Sequence, residues 1–119
     1  MAIHHAAAGE VMKLRSASDP EAKTAAIVKT KSFETILLIV RAGEHIAEHK
    51  VAGSMSLYCI AGETAIDTAG GTRHLHAGDW MYLEPGATHA VRGIIDASLI
   101  LTVLFDRPTL HMRQSELIT

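Results

Sequence analysis

From residue 26 onward, short runs of β-branched and aliphatic residues alternate with glycine-bearing turns. The runs cover 26–29, 34–40, 55–60, 64–67, 81–83 and 98–105, and the glycines stand at Gly43, Gly53, Gly62, Gly70, Gly71, Gly78, Gly86 and Gly93. Turn signals recurring every 8 to 12 residues or so predict an all-β sandwich or barrel rather than βαβ units. No stretch of the middle of the chain carries a 3.6-residue period that would compete with this reading. The segment Asp67-Thr-Ala-Gly-Gly-Thr72 predicts a hairpin, because paired glycines supply the positive φ of a tight reverse turn. Before the first run lies a weakly periodic leader, residues 1–24. The barrel spans 25–106, and a tail, 107–119, carries Leu110, Met112, Leu117 and Ile118 as a short helix or as an arm on a neighbouring subunit.

Alternation places candidate side chains on faces. If 44–51 is a regular strand, His45 and His49 leave the same face as Val51, with Glu48 and Lys50 opposite. His89 follows the turn Glu84-Pro85-Gly86-Ala87 and opens another strand, so His49 and His89 converge in the barrel interior. A buried imidazole needs a hydrogen bond, a ligand or water, which makes this convergence a candidate binding site. By the same parity Val51, Met55, Leu57, Cys59 and Val91 surround the pair as an apolar pocket for a small, largely hydrophobic ligand. Arg41 and Arg92 lie near turns, where they would hold a carboxylate at the mouth or simply stand solvated on the rim. Tyr58 is out of phase with Met55 and falls outside the barrel; Trp80 with Tyr82, or Met81 with Leu83, faces in. His74 and His76 fall at a strand end on the surface, and His4, His5 and His111 in the termini.

Composition narrows the function classes. A chain of 119 residues is one domain, long enough to bury roughly 65% of its extended-chain surface without staples. A single cysteine excludes an intrachain disulfide framework and a Cys-x-x-Cys metal motif, which makes a reducing cytosol, and so a cytoplasmic protein, the expectation. The net charge of -2 and the absence of a Lys/Arg run argue against nucleic acid as a partner. The longest aliphatic stretch, 36–40, is far short of the roughly 20 residues that span a bilayer, and the N-terminus lacks the pattern of a secretory signal. With aromatic residues at 4%, the core must be aliphatic.

The arrangement of glycines and histidines resembles that of a small single-domain, RmlC-like cupin. The first motif of that family reads glycine, five residues, His-x-His, three or four residues, Glu, six residues, glycine. Gly43, His49 and Gly62 match it, whereas Val51 stands at the second histidine and Met55 at the glutamate. The second motif reads glycine, five residues, Pro-x-Gly, two residues, His, three residues, Asn. Gly78, Gly86 and His89 match it, with Pro85 displaced by one position and Gly93 in place of the asparagine. The resemblance implies an antiparallel β-barrel of the double-stranded jelly-roll type and a homodimer.

Metal-dependent members of the family hold a divalent transition metal (Zn, Fe, Cu, Mn or Ni) through three histidines and a glutamate. Only His49 and His89 match that set, which argues against the standard centre. His45, by strand parity, completes a reduced metal site with His49 and His89, and Cys59 is a further candidate ligand. Two functions follow as expectations. The first is a small-molecule-binding cupin of unassigned activity, with a degenerate metal site and polar contacts from His49 and His89. The alternative is a metal-dependent enzyme of oxygenase or isomerase type acting on a small organic substrate. A metal-free acid–base reaction by a histidine ranks below both, because Val51 and Met55 remove the polar partner it needs.

Overall fold

The computed structural model describes residues 4–105; the tail expected over 107–119, with His111, lies outside the described residues. Seven antiparallel strands follow one another: β1 (Ala25–Lys29), β2 (Phe33–Val40), β3 (His45–His49), β4 (Met55–Thr68), β5 (Gly71–His76), β6 (Trp80–Leu83) and β7 (His89–Leu104). The described residues contain no helix, and hence none long and apolar enough to cross a membrane.

Two strands are shared between two sheets. In the first sheet, β1 pairs with β2, β2 with the second half of β7, that half of β7 with the first half of β4, and β4 with β6. In the second, β3 pairs with the first half of β7, which pairs with the second half of β4, which pairs with β5. This is the architecture of a jelly roll, left open between β6 and β5. It corrects one expectation, because Gly62 and Gly93 are not turns. They lie inside the 14-residue β4 and the 16-residue β7, where each strand bends from one sheet into the other through register shifts. A Cβ on Gly62, at φ +81°, would sit 2.1 Å from the Asp96 carbonyl oxygen, and one on Gly93 would sit 2.0 Å from that of Arg41. The backbones approach too closely there for any side chain.

Alternation then builds the core. Leu38 stands opposite Leu99 and Val40 opposite Ala97, while Met55, Leu57 and Cys59 of β4 and Leu83 of β6 turn to the same side. Val40, Leu99 and these four, with Ile66, Leu75 and Val91 of the second sheet, form the buried cluster between the sheets, and Leu38 packs against it. The outer face of the first sheet carries Leu37 and Ile39, covered by Ala17 and Ala22 of the leader. The leader is thus packed on its own chain. The Arg41 guanidinium fastens it by donating to the carbonyls of Ala17, Asp19 and Ala22.

Candidate functional site

Strand β3 carries a bulge that decides which histidines meet. His45 pairs with Arg92, Ile46 with Val91 and His49 with His89, so three steps on β3 answer two on β7. The extra residue reverses side-chain parity after Ile46. Ile46 therefore packs against the core and His49 also turns inward, whereas His45 goes to the opposite face. There it stands beside the Arg92–Asp67 pair and away from His89. The expected His45, His49, His89 ligand set is not assembled, because β3 is bulged rather than regular.

His49 and His89 do come together. Their ring centroids are 4.2 Å apart with the planes inclined by 57°. Each ring places Nδ1 against a carbonyl oxygen two residues earlier, His49 on Ala47 at 3.0 Å and His89 on Ala87 at 3.2 Å. A carbonyl only accepts, so Nδ1 carries the proton in both rings and Nε2 of the neutral form is a bare acceptor. No other hydrogen bond to the His89 ring exists among the described residues. His49 is exposed at the mouth, while His89 is 1% exposed. Burial holds the His89 pKa below the usual imidazole range, and charge on the neighbouring His49 pushes the same way, against the opposing pull of the Ala87 carbonyl. The site thus holds a neutral, buried imidazole beside an exposed one.

Around this pair the expected pocket wall is filled. Met55, Leu57, Cys59 and Val91 are members of the buried cluster at 4% exposure or less, and the half-buried Val51 packs against it. The Cys59 thiol donates to the Ala61 carbonyl at 3.3 Å, and burial raises its pKa, so it is a capped core thiol rather than a thiolate ligand. Open volume lies instead at the gap between β5 and β6. A groove of about 550 Å³ there is lined by Thr68, Arg73, Met81, Leu83, Glu84 and Thr88, among others. It adjoins the histidines, since Thr68 is the register partner of His89, Thr88 precedes it, and Ala87 both lines the groove and holds the His89 ring. A second groove, about 340 Å³, runs between the leader and β1–β2, remote from this chemistry.

The arginines expected at the mouth are committed elsewhere. Arg92 clamps Asp67 through Nε at 2.8 Å and Nη2 at 3.0 Å, and this, with the Thr72 hydroxyl, holds the Asp67 carboxyl well below the usual carboxylate range. Arg41 serves the leader and lies 3.6 Å from Asp96. Arg73, which local sequence reading passes over, is the arginine that reaches the groove. Its place follows from its pairing with the inward Ile66.

The donor set does not fit a resident metal. Two imidazoles stand together without a carboxylate, and the described residues contain no cluster of three His, Cys, Asp or Glu side chains arranged to hold an ion. Charge neutralisation and fixed geometry, which divalent ions need from their ligands, are both missing.

No family model matches the sequence, and no curated protein does. Solved structures do. A conserved protein of unknown function from Streptococcus pyogenes superposes with a TM-score of 0.72 at 15% identity, covering 90% of this chain and 99% of that one. A cupin superfamily protein from Desulfitobacterium hafniense superposes with a TM-score of 0.68 at 18% identity, covering 82% and 84%. The fold is that of a cupin. The DMSP lyase DddQ from Ruegeria pomeroyi shares this cupin fold, with a TM-score of 0.63, 20% identity and coverage of 73% of this chain and 48% of that one. At such identities the likeness carries architecture and not activity.

Proposed function

We propose that this cupin-fold protein binds a small organic molecule at the barrel mouth, with His49 and His89 as polar contacts and no metal in the site. The observation that carries the reading is the histidine pair itself: two rings 4.2 Å apart, each with Nδ1 engaged and Nε2 left as an acceptor, beside a groove of about 550 Å³. That volume falls within the range of small-molecule sites, and a few convergent polar groups on an apolar wall are what such sites use for orientation. Two bare Nε2 acceptors suit a ligand that donates from a hydroxyl or amide. A thermal-shift screen of small organic molecules tests the reading. Selective stabilisation of the wild type, weakened in His49→Ala and lost in His49→Ala/His89→Ala, supports it. Ligands that stabilise the variants equally sink it. His49 is exposed, so its single variant keeps the test informative should the double variant unfold.

The homodimer implied by the resemblance has a specific surface to use. On the outer face of the first sheet Tyr58 pairs with Trp80 and Ser56 with Tyr82, on the half of the face that the leader leaves bare. Trp80 is 62% exposed, Tyr82 55%, Tyr58 43% and Ile60 39%. At 150–250 Å² per aromatic side chain this patch offers roughly 400 Å² of apolar surface, about half of what one partner contributes to a standard interface. The occupant is a second copy of the same face. An isologous contact sets like residues near one another across the axis, and these two rungs hold no ionised side chain to repel its own image. Light scattering should give twice 12.8 kDa for the wild type and 12.8 kDa for Trp80→Asp, with Val11→Asp, on the remote leader, still dimeric. A monomeric wild type overturns the assignment.

A further inference from the structure

Three of the four described arginines have a carboxylate: Arg15 pairs with Asp19, Arg41 with Asp96 and Arg92 with Asp67. Arg73 has none among the described residues. The one hydrogen bond of its guanidinium among the described residues goes from Nη1 to the Thr72 carbonyl at 3.3 Å, long for a guanidinium donor. In register Arg73 stands opposite Ile66, which is 0% exposed, and two residues from the buried Leu75, so its side chain leaves toward the gap between the sheets. There it lines the groove that Met81 and Leu83 wall with apolar surface and that ends beside His89.

A guanidinium that makes no ion pair among the described residues, next to apolar surface and in a concave site, selects for a particular ligand. We infer that the groove takes a small organic monocarboxylate, its carboxylate on the Arg73 guanidinium and its apolar body along Met81 and Leu83; this rests on the reading that the barrel mouth binds a small molecule. A guanidinium fork matches a carboxylate with two parallel N–H donors, which Lys or an amide does not reproduce. Glu84 lines the same groove and has no side-chain partner among the described residues. Its negative charge disfavours dianions such as phosphate and leaves the single charge of a carboxylate as the better match. Arg73 is exposed, so its loss leaves the fold intact.

Isothermal titration of the full chain with hexanoate, its neutral match hexanamide, and inorganic phosphate tests the inference. Hexanoate should bind about tenfold or more tighter than hexanamide, the margin expected of a charge-assisted pair. Arg73→Gln should abolish that margin, and Glu84→Gln should leave hexanoate binding equal or tighter. Equal affinities for hexanoate and hexanamide, an undiminished margin in Arg73→Gln, phosphate binding as tight as hexanoate, or no binding of hexanoate overturns it. The two readings fail separately. Hexanamide and hexanoate binding equally, with a hydroxyl-bearing ligand from the thermal-shift screen still weakened by His49→Ala, removes the role of Arg73 but keeps the histidine site, whereas hexanoate binding sensitive to Arg73→Gln, with no ligand weakened by His49→Ala, does the reverse.

Discussion

Thr64 is fully buried in the second sheet and its hydroxyl is the one described buried side-chain oxygen or nitrogen without a hydrogen-bond partner. It stands opposite Leu75 on β5 and Gly93 on β7, neither of which offers a side-chain acceptor. Folding therefore strips the hydroxyl of water and returns nothing, a loss of about 1–3 kcal/mol for an unsatisfied polar group. Valine replaces the hydroxyl with a methyl of similar size and keeps the β-branch that suits a strand. Thr64→Val should thus stabilise the protein by about 1 kcal/mol, allowing for imperfect fit of the methyl. For a chain of this length that corresponds to a rise in Tm of about 4 °C. Thr64→Ser separates hydroxyl from methyl. It keeps the orphaned group, deletes buried carbon, and should lose about 1 kcal/mol. Urea unfolding monitored by circular dichroism measures both, with an unchanged m-value showing that the folded and unfolded states are otherwise comparable. If Thr64→Val is less stable than the wild type, the hydroxyl has a partner in solution and the reasoning is wrong.

The bend glycines and the buried histidine give further tests. Gly62 and Gly43 share the same backbone requirement, φ +81° and +85°, but a Cβ at Gly43 meets nothing within 4 Å whereas at Gly62 it meets backbone. Gly43→Ala should therefore cost about 1–2 kcal/mol for the left-handed conformation alone, and Gly62→Ala about 3 kcal/mol or more once overpacking is added. Equal losses in urea unfolding would remove the argument from close approach. His89 has a folded-state pKa below its ordinary value of 6.5, so the unfolded chain takes up that proton first as the pH falls. Its contribution to stability is complete above pH 6.5 and declines as the pH drops from there toward the lowered folded value. His89→Asn should flatten the loss of stability below pH 6.5 relative to the wild type. Parallel profiles would show that His89 titrates normally in the fold.

The parts of this fold that local pattern reveals are those governed by period two and by turn chemistry. The runs at 34–40 and 55–60 became β2 and the start of β4 because alternating aliphatic residues can bury one face of a strand only in that way. Tyr58 lies outside, as its phase against Met55 requires, and Trp80 with Tyr82 joins it, which settles the orientation of β6 that alternation alone leaves open. Parity failed at β3. Counting by twos joins His45 to His49, yet Ile46 is the apolar residue of that strand and must also face the core. A regular strand cannot satisfy both Ile46 and His49. The conflict is visible in the sequence, and a bulge between the two residues resolves it.

What stayed hidden is set by contacts distant in the chain. Arg92 looks free until β4 brings Asp67 to it across 25 positions, and Arg41 looks free until the leader folds back onto it. Arg73 has the opposite history: nothing in its neighbourhood marks it, and its importance comes from the opening between β5 and β6, whose position depends on both long strands bending. Gly62 and Gly93 mislead for the same reason, because a glycine that permits a turn also permits two backbones to touch, and only the partner strand decides which. The same bends explain the chemistry of the site. They bring the ends of β3, β4 and β7 to one mouth, while Val51 and Met55 deny the mouth the charge that a metal would need. Met55 stands opposite Leu83 and Val103, so the interior at that level is closed by hydrocarbon. On the proposed reading a ligand is directed outward, to the gap between the sheets, where Thr68, Thr88 and the Arg73 guanidinium, which has no ion pair among the described residues, share the lining with apolar Met81 and Leu83.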